Sequence, residues 1–159
     1  MKKLLTLILT LSLYLGLNAQ DYYPANPQPR EDKIPQWVKV TSIYAGSIIL
    51  DAMADGLRDD GNKEWSHALE AGSIGLLLAS PFIIDYDKSK WGWYVASYVT
   101  LRISLFDPTY NLTRGLGWNY VGTTSGWDKG LQKVPDHFMN FSRGVSFVIG
   151  ISIPINELK

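Results

Sequence analysis

Four uncharged, apolar stretches punctuate the chain after its first twenty residues: Val40 to Leu50, Ala71 to Ile84, Trp91 to Leu101 and Gly144 to Asn156. Each is bounded by proline, glycine or charged clusters, and each predicts the middle of a helix. Pro35 fits the first turn of the first helix, where its missing N–H costs nothing, and that helix should run to about Arg58 before Asp59-Asp60-Gly61-Asn62 turns the chain. A second helix starts near Lys63, is disturbed by Ser80-Pro81 and ends by Ile84. After a charged connection from Asp85 to Lys90, a third runs from Trp91 to Phe106. Asp107-Pro108 should cap a short continuation through Arg114, so that two helices meet at a corner.

Gly115, Gly117, Gly122, Gly126 and Gly130 open a loop. Within it, Ser125 and Asp128 have capping-box spacing for one or two helical turns. The last helix is expected after Pro135, with Asp136 as its N-cap, and Pro154 limits it. The fold class is therefore all-α, a small bundle of about four helices over residues 37–159.

The apolar stretches are each shorter than the ~18 residues of a clean membrane span. Trp65 to Ile84 reaches that length if His67 and Glu70 are tolerated, and Trp91, Trp93, Tyr94, Tyr98 and Trp118 have the character of interfacial anchors. A bundle embedded in or associated with a membrane is the preferred expectation, with lipid as its partner; a soluble bundle is the second. A β-barrel comes last, supported by alternation over Val145 to Ile155.

The start of the chain changes where this bundle should reside. Met1-Lys2-Lys3, the leucine-rich run Leu4 to Leu17 and Asn18-Ala19-Gln20 have the layout of a cleavable bacterial-type signal peptide covering residues 1–19. Residues 20–36 hold Pro24, Pro27, Pro29 and Pro35 among polar groups, the composition of an extended tether that can engage another envelope protein through Asp21 to Gln36. Export to the cell envelope is the expectation.

Charge and composition narrow the chemistry. The signal carries two of the 15 basic residues and none of the 15 acidic ones, which leaves the remainder two charges negative. That balance gives no electrostatic basis for nucleic-acid binding. With no cysteine, disulfides and thiolate chemistry are excluded. Six tryptophans and nine tyrosines are ample for interfacial belts.

Tyr44, Ser47, Asp51, Asp55 and Arg58 recur at three- and four-residue spacing, which places them on one face of an otherwise apolar helix. Two carboxylates on one stripe need partners. Arg58 supplies one locally; Asp51 requires a group from elsewhere. Glu64, His67 and Glu70 share a face of the second helix, and a tight turn should bring Asp55 and His67 close. Arg102 is the single charge inside the third helix and calls for Asp51, Asp55 or Asp107. Asn111 and Arg114 extend the polar surface at that end. One cluster of Asp51, Asp55, His67, Glu70, Arg102, Asp107, Asn111 and Arg114 is expected.

Three readings of this cluster stay open. It can be a network that fixes helix register. It can be catalytic, with His67 as acid or base, Asp55 or Glu70 orienting it, and Arg102 or Arg114 binding an anion. It can hold a metal through Glu64, His67, Asp51 and Asp55, but di-metal bundle sites repeat Glu-x-x-His on a second helix, and this chain has it once. No metal and no cofactor are expected. His137 should be a surface residue. The Gly122 to Gly130 stretch lacks the G-K-[ST] ending of a phosphate loop. Asn111-Leu112-Thr113 is a formal glycosylation sequon in a helical position, where modification is not expected.

The run Leu105-Phe106-Asp107-Pro108-Thr109-Tyr110-Asn111-Leu112-Thr113-Arg114-Gly115, followed by Tyr120-Val121-Gly122-Thr123-Thr124-Ser125 and Asp128-Lys129, resembles a motif of small bacterial exported helical proteins of unassigned activity. The resemblance implies no reaction. It directs attention to the Asp107 to Arg114 segment and to the Thr123 to Asp128 loop, whose hydroxyls would close over the cluster. The expected role is structural or interaction-based within the envelope. The alternative is a small hydrolase of an anionic or lipid-like substrate that uses His67.

Overall fold

A computed structural model describes residues 34–121 and 126–158, together with the backbone but not the side chains of 126–128. The described chain is all-helical, with no strand among the described residues. The helices are α1 (Gln36–Asp59), α2 (Lys63–Ile83), α3 (Trp91–Thr113), the short α4 (Gly126–Leu131) and α5 (Asp136–Glu157), with a 3-10 turn at Lys88–Lys90. The segment from Val145 to Ile155, whose alternation also suits a strand, is helical throughout. The expected signal peptide, the tether as far as Lys33, and Thr123, Thr124 and Ser125 lie outside the described residues.

Helix ends follow local chemistry. Gly61 has φ of 84°, a conformation in which an L side chain is strained, and this lets the Asn62 and Gly61 amides reach the Leu57 and Arg58 carbonyls at 2.8 and 3.1 Å. Gly115, with φ of 69°, repeats the arrangement at the end of α3: Leu116 N–H donates to Asn111 and Gly115 N–H to Leu112. Before α3, Asp87 accepts from both Ser89 N–H (2.9 Å) and Ser89 Oγ (2.7 Å), which holds its carboxyl below the usual carboxylate range.

Three boundaries differ from the sequence expectation. Pro35 and Pro135 occupy the N-cap positions, so Gln36 and Asp136 are the first helical residues of α1 and α5. The corner at Asp107-Pro108 does not exist: α3 runs through Pro108 without a break. Leu101, Ser104, Pro108 and Asn111 form one buried row across the proline, and that packing keeps the helix continuous where propensity alone would end it.

Helix α1 is central, packing against α2, α3 and α5, while α3 also packs against α5. One end of the bundle gathers the starts of α1 and α3 with the ends of α2 and α5. There Gln36 Nε2 donates to the Asp85 carbonyl at 3.0 Å, and Lys90 Nζ to the Glu157 carbonyl at 2.6 Å. We call this the first end, and the end near Asp59 and Arg114 the second. Val40, Ile43, Tyr44, Ile48, Ile84, Tyr94, Leu101 and Leu158 form the apolar core.

Small residues make the remaining helix contacts. On α2 the buried residues are Ser66, Ser73 and Ser80, seven apart; on α3, Ser97, Ser104 and Asn111 repeat that spacing. A seven-residue repeat of short side chains keeps one face toward a neighbour and lets backbones approach. A Cβ on Gly150 of α5 would stand 2.7 Å from Leu101 Cγ, and one on Gly56 of α1 2.9 Å from Thr113 Cβ.

Serines also repair the helices that contain proline. Pro81 has no N–H for the Leu77 carbonyl, and Ser80 Oγ donates to that carbonyl at 2.7 Å. Pro154 likewise leaves the Gly150 carbonyl without its i+4 donor, and Ser97 Oγ of α3 donates to it at 2.8 Å. The second bond therefore ties two helices together at the point of closest approach.

Large apolar side chains are also plentiful on the outer surface. Ile74, Leu78 and Phe82 on α2, Val95, Val99 and Ile103 on α3, and Phe141, Val145, Val148 and Ile149 on α5 are all exposed. Helix α5 is long and apolar enough to cross a membrane, and only 17% of its most apolar window is buried. Trp37, Tyr86, Trp91 and Trp93 are exposed around the first end, and Trp65, Trp118 and Tyr120 around the second.

Candidate functional site

The candidate site is a polar seam along α1, one group per turn, with α2 and α3 supplying the partners. Nearest the first end, Tyr44 is buried and its hydroxyl lies 3.0 Å from that of Tyr86; the Tyr98 ring meets it edge-on at 5.4 Å. One turn on, Ser47 Oγ is 3.0 Å from Ser73 Oγ, and Ser73 Oγ also reaches the Ser47 carbonyl at 2.9 Å. Gly46 eases this approach, since a Cβ there would stand 3.3 Å from Leu76 Cδ1.

The next turn carries the charge pair. Arg102 Nη1 donates to Asp51 Oδ2 at 2.7 Å, and the guanidinium lies over the Phe106 ring, 4.2 Å from its centroid. Both side chains remain partly open, 40% for Arg102 and 30% for Asp51. The seam then widens. Arg58 bridges Asp55 at 3.1 Å and Glu70 of α2 at 2.7 Å, and Glu70 lies 3.8 Å from His67 Nδ1. At the second end, Tyr110 donates to Asp59, and Arg114 reaches the Tyr110 hydroxyl at 2.9 Å and Asp59 at 3.8 Å.

The eight residues singled out from sequence thus separate into five sets. Asp51 meets Arg102, one of the three partners anticipated for that arginine. Asp55, Glu70 and His67 are joined through Arg58. Arg114 belongs with Asp59 and Tyr110. Asp107 turns away from the seam: its carboxylate lies 3.8 Å from Arg143 of α5. Asn111 is buried and donates to the Trp118 and Tyr120 carbonyls at 3.2 and 2.9 Å, so its amide pins the loop after α3 and is closed to glycosylation. His67 has a side chain 72% exposed, on the rim, with Glu70 as its ion-pair neighbour. His137 is exposed.

Several participants carry weaker sequence signals. Arg143 is buried, donating to Asn119 Oδ1 at 2.7 Å and to the Trp118 carbonyl at 3.3 Å. It stands in α5 one residue before the uncharged run, where it reads as a helix-end charge. Asp59 and Tyr110 lie 51 residues apart and share no motif. The serine rows were visible as a seven-residue repeat, Ser66-Ser73-Ser80 and Ser97-Ser104, but serine spacing is ordinarily taken as solvent-facing. Ser66 Oγ and Thr41 Oγ1 are buried and without a hydrogen-bond partner among the described residues, which marks Ser66 as selected for size.

Among the described residues no group of three or more His, Asp or Glu side chains converges as a metal site would require. Glu64 is exposed, as is His67. Chemically, then, the seam offers ion pairs, with Arg58 shared between two carboxylates, open toward the second end and sealed by hydroxyl contacts toward the first. No protein-family model, curated protein or solved structure matches the chain.

Proposed function

We propose that this protein is a membrane-resident bundle of the cell envelope with a structural or interaction role. The observation that carries the reading is the outer surface: phenylalanine, leucine, isoleucine and valine cover much of the outside of the helices, while serine and glycine share the interior with an apolar core. In water those outer side chains would be left unburied; in lipid the arrangement is the expected one, because acyl chains solvate large apolar side chains and small residues let helices associate.

The positions of the tryptophans support it. Five of the six have described side chains, and all five are exposed around one or other end of the bundle, as interfacial anchors are. The long helices of 24, 21, 23 and 22 residues span about 32–36 Å at 1.5 Å per residue. The uncharged outer belt, read from Ala71 to Ile84 or Gly144 to Asn156, is on the order of 20 Å, less than the ~30 Å hydrocarbon core. Local thinning and snorkelling of the flanking Lys, Arg and Trp side chains accommodate the difference. The lysine-led apolar start of the chain is consistent with delivery by export, and residues 21–36 with a tether to another envelope protein.

The hydrolase alternative draws less support. His67 is exposed on the rim, and a general base needs an orienting hydrogen bond and a sheltered substrate position. The test is extraction. The full chain should sediment with membranes, resist alkaline carbonate and require detergent for solubility. Recovery as a monodisperse protein in plain buffer would overturn the membrane reading.

A further inference from the structure

We infer that the open side of the polar seam is closed by a second copy of this chain, with the Asp51–Arg102 pairs of the two copies facing each other. The inference rests on the membrane reading and extends it. Elsewhere the belt between the two aromatic ends is apolar, and lipid can cover it. The seam breaks that belt. Asp51 and Arg102 border it, each the first charge after an uncharged run, Val40 to Leu50 on α1 and Trp91 to Leu101 on α3, with 30% and 40% of their side chains uncovered. Neither acyl chains nor the bundle itself covers them fully, and an ionised group left partly bare beside hydrocarbon is costly.

The chemistry of the uncovered atoms selects the occupant. In each pair Arg102 uses Nη1 on Asp51 Oδ2 and has the Tyr98 hydroxyl as a second neighbour, which leaves part of the guanidinium's N–H donors and the second carboxylate oxygen for a further partner. The partner that fits must offer an acceptor and a donor side by side in an apolar frame. That is what another copy offers across a two-fold axis, where the Arg102 of each copy approaches Asp51 of the other. An anionic headgroup would match Arg102 alone and meet repulsion from Asp51. Val95, two turns before Arg102 and on the same face of α3, and Ile74 on α2 are exposed apolar residues suited to the rim of such an interface. Val148, on the outer face of α5, faces lipid in this arrangement.

The natural chain contains no cysteine, so single cysteines report proximity without background. Two variants of the full chain, Val95→Cys and Val148→Cys, are treated in mild detergent with a short bis-maleimide, while light scattering gives the mass of the unmodified protein. A dimeric mass, efficient cross-linking at position 95 and little at 148 are the expected results. Arg102→Met should weaken dimerisation by roughly tenfold or more at unchanged helicity. The exchange Asp51→Arg with Arg102→Asp, which keeps the self-complementary pattern, should restore it.

A monomer at every protein concentration overturns the inference, whether or not lipid copurifies in the seam. So does cross-linking at 148 that equals or exceeds that at 95. The membrane reading is judged separately by extraction, so a detergent-requiring monomer defeats the dimer alone, and a detergent-independent protein defeats the reading beneath it.

Discussion

Helices α1 and α5 are nearly equal in length, 24 and 22 residues, and opposite in almost everything else. The first carries Asp51, Asp55, Arg58 and Asp59, and buries nine residues among three neighbouring helices. The second is uncharged from Gly144 to Asn156, and buries four residues. The helix richest in ionisable groups is at the centre, yet what it buries is apolar or small, and its charged groups stay at the edge of the contacts, partly or fully exposed. Close approach at glycine and serine, together with polar bonds between helices, adds to that apolar burial.

The contrast is most easily broken at the α3–α5 contact. Gly150→Leu places atoms where Leu101 Cγ already stands and should destabilise the bundle by about 3 kcal/mol, measured by denaturant titration of the detergent-solubilised protein. An unaltered midpoint would mean that α5 is not held by close approach. Next in size, Arg102→Met strands Asp51 and should cost ~2 kcal/mol, reduced from the cost of a fully buried pair by its exposure, whereas Asp51→Leu with Arg102→Met should recover much of the loss. If the double variant is no better than the single one, the pair does not act as a unit.

Ser97→Ala should cost about 1–2 kcal/mol by leaving the Gly150 carbonyl without a donor. Pro154→Ala restores a backbone N–H for that carbonyl, so Ser97→Ala should cost less in its presence. Additive effects would separate the serine from the proline. The smallest expected effect is at the first end. The Asp87 carboxyl is held below its ordinary value of 3.8 by Ser89, so its contribution is present above that value and disappears as the pH falls through the lowered one. Local fraying at the start of α3 that sets in below about pH 4, and that is present without any pH dependence in Asp87→Ala, is the signal to seek by backbone resonance shifts.

Much of the fold was readable because punctuation decides it. Pro35, Gly61, Gly115 and Pro135 each stand at a helix boundary, and their backbone preferences act locally. Pro108 shows the limit of that logic. A local rule ends the helix there, but the buried row through Leu101, Ser104 and Asn111 is a tertiary effect that no window of sequence contains. The site divides the same way. Asp55, Arg58, His67 and Glu70 meet across a tight turn, so their neighbourhood follows from the turn. Asp107 was placed in the cluster as a candidate partner for Arg102, yet rotation around α3 directs it to Arg143. The serine rows were in view as residues and lacked only the idea that short polar side chains can line helix contacts beside an apolar core.

Helix α2 is fastened differently from the others. It packs against α1 without a comparably extensive contact to α3 or α5, and what it buries is a row of three serines. Leu77 joins the apolar core and Leu76 lies against Gly46, but no other long helix shares the load. A helix held through a single neighbour can open at a lower free energy than global unfolding requires, leaving α1, α3 and α5 as the remaining unit. Since α2 forms one bank of the polar seam, its opening would expose Asp51 and Asp55 while the rest of the bundle stays assembled.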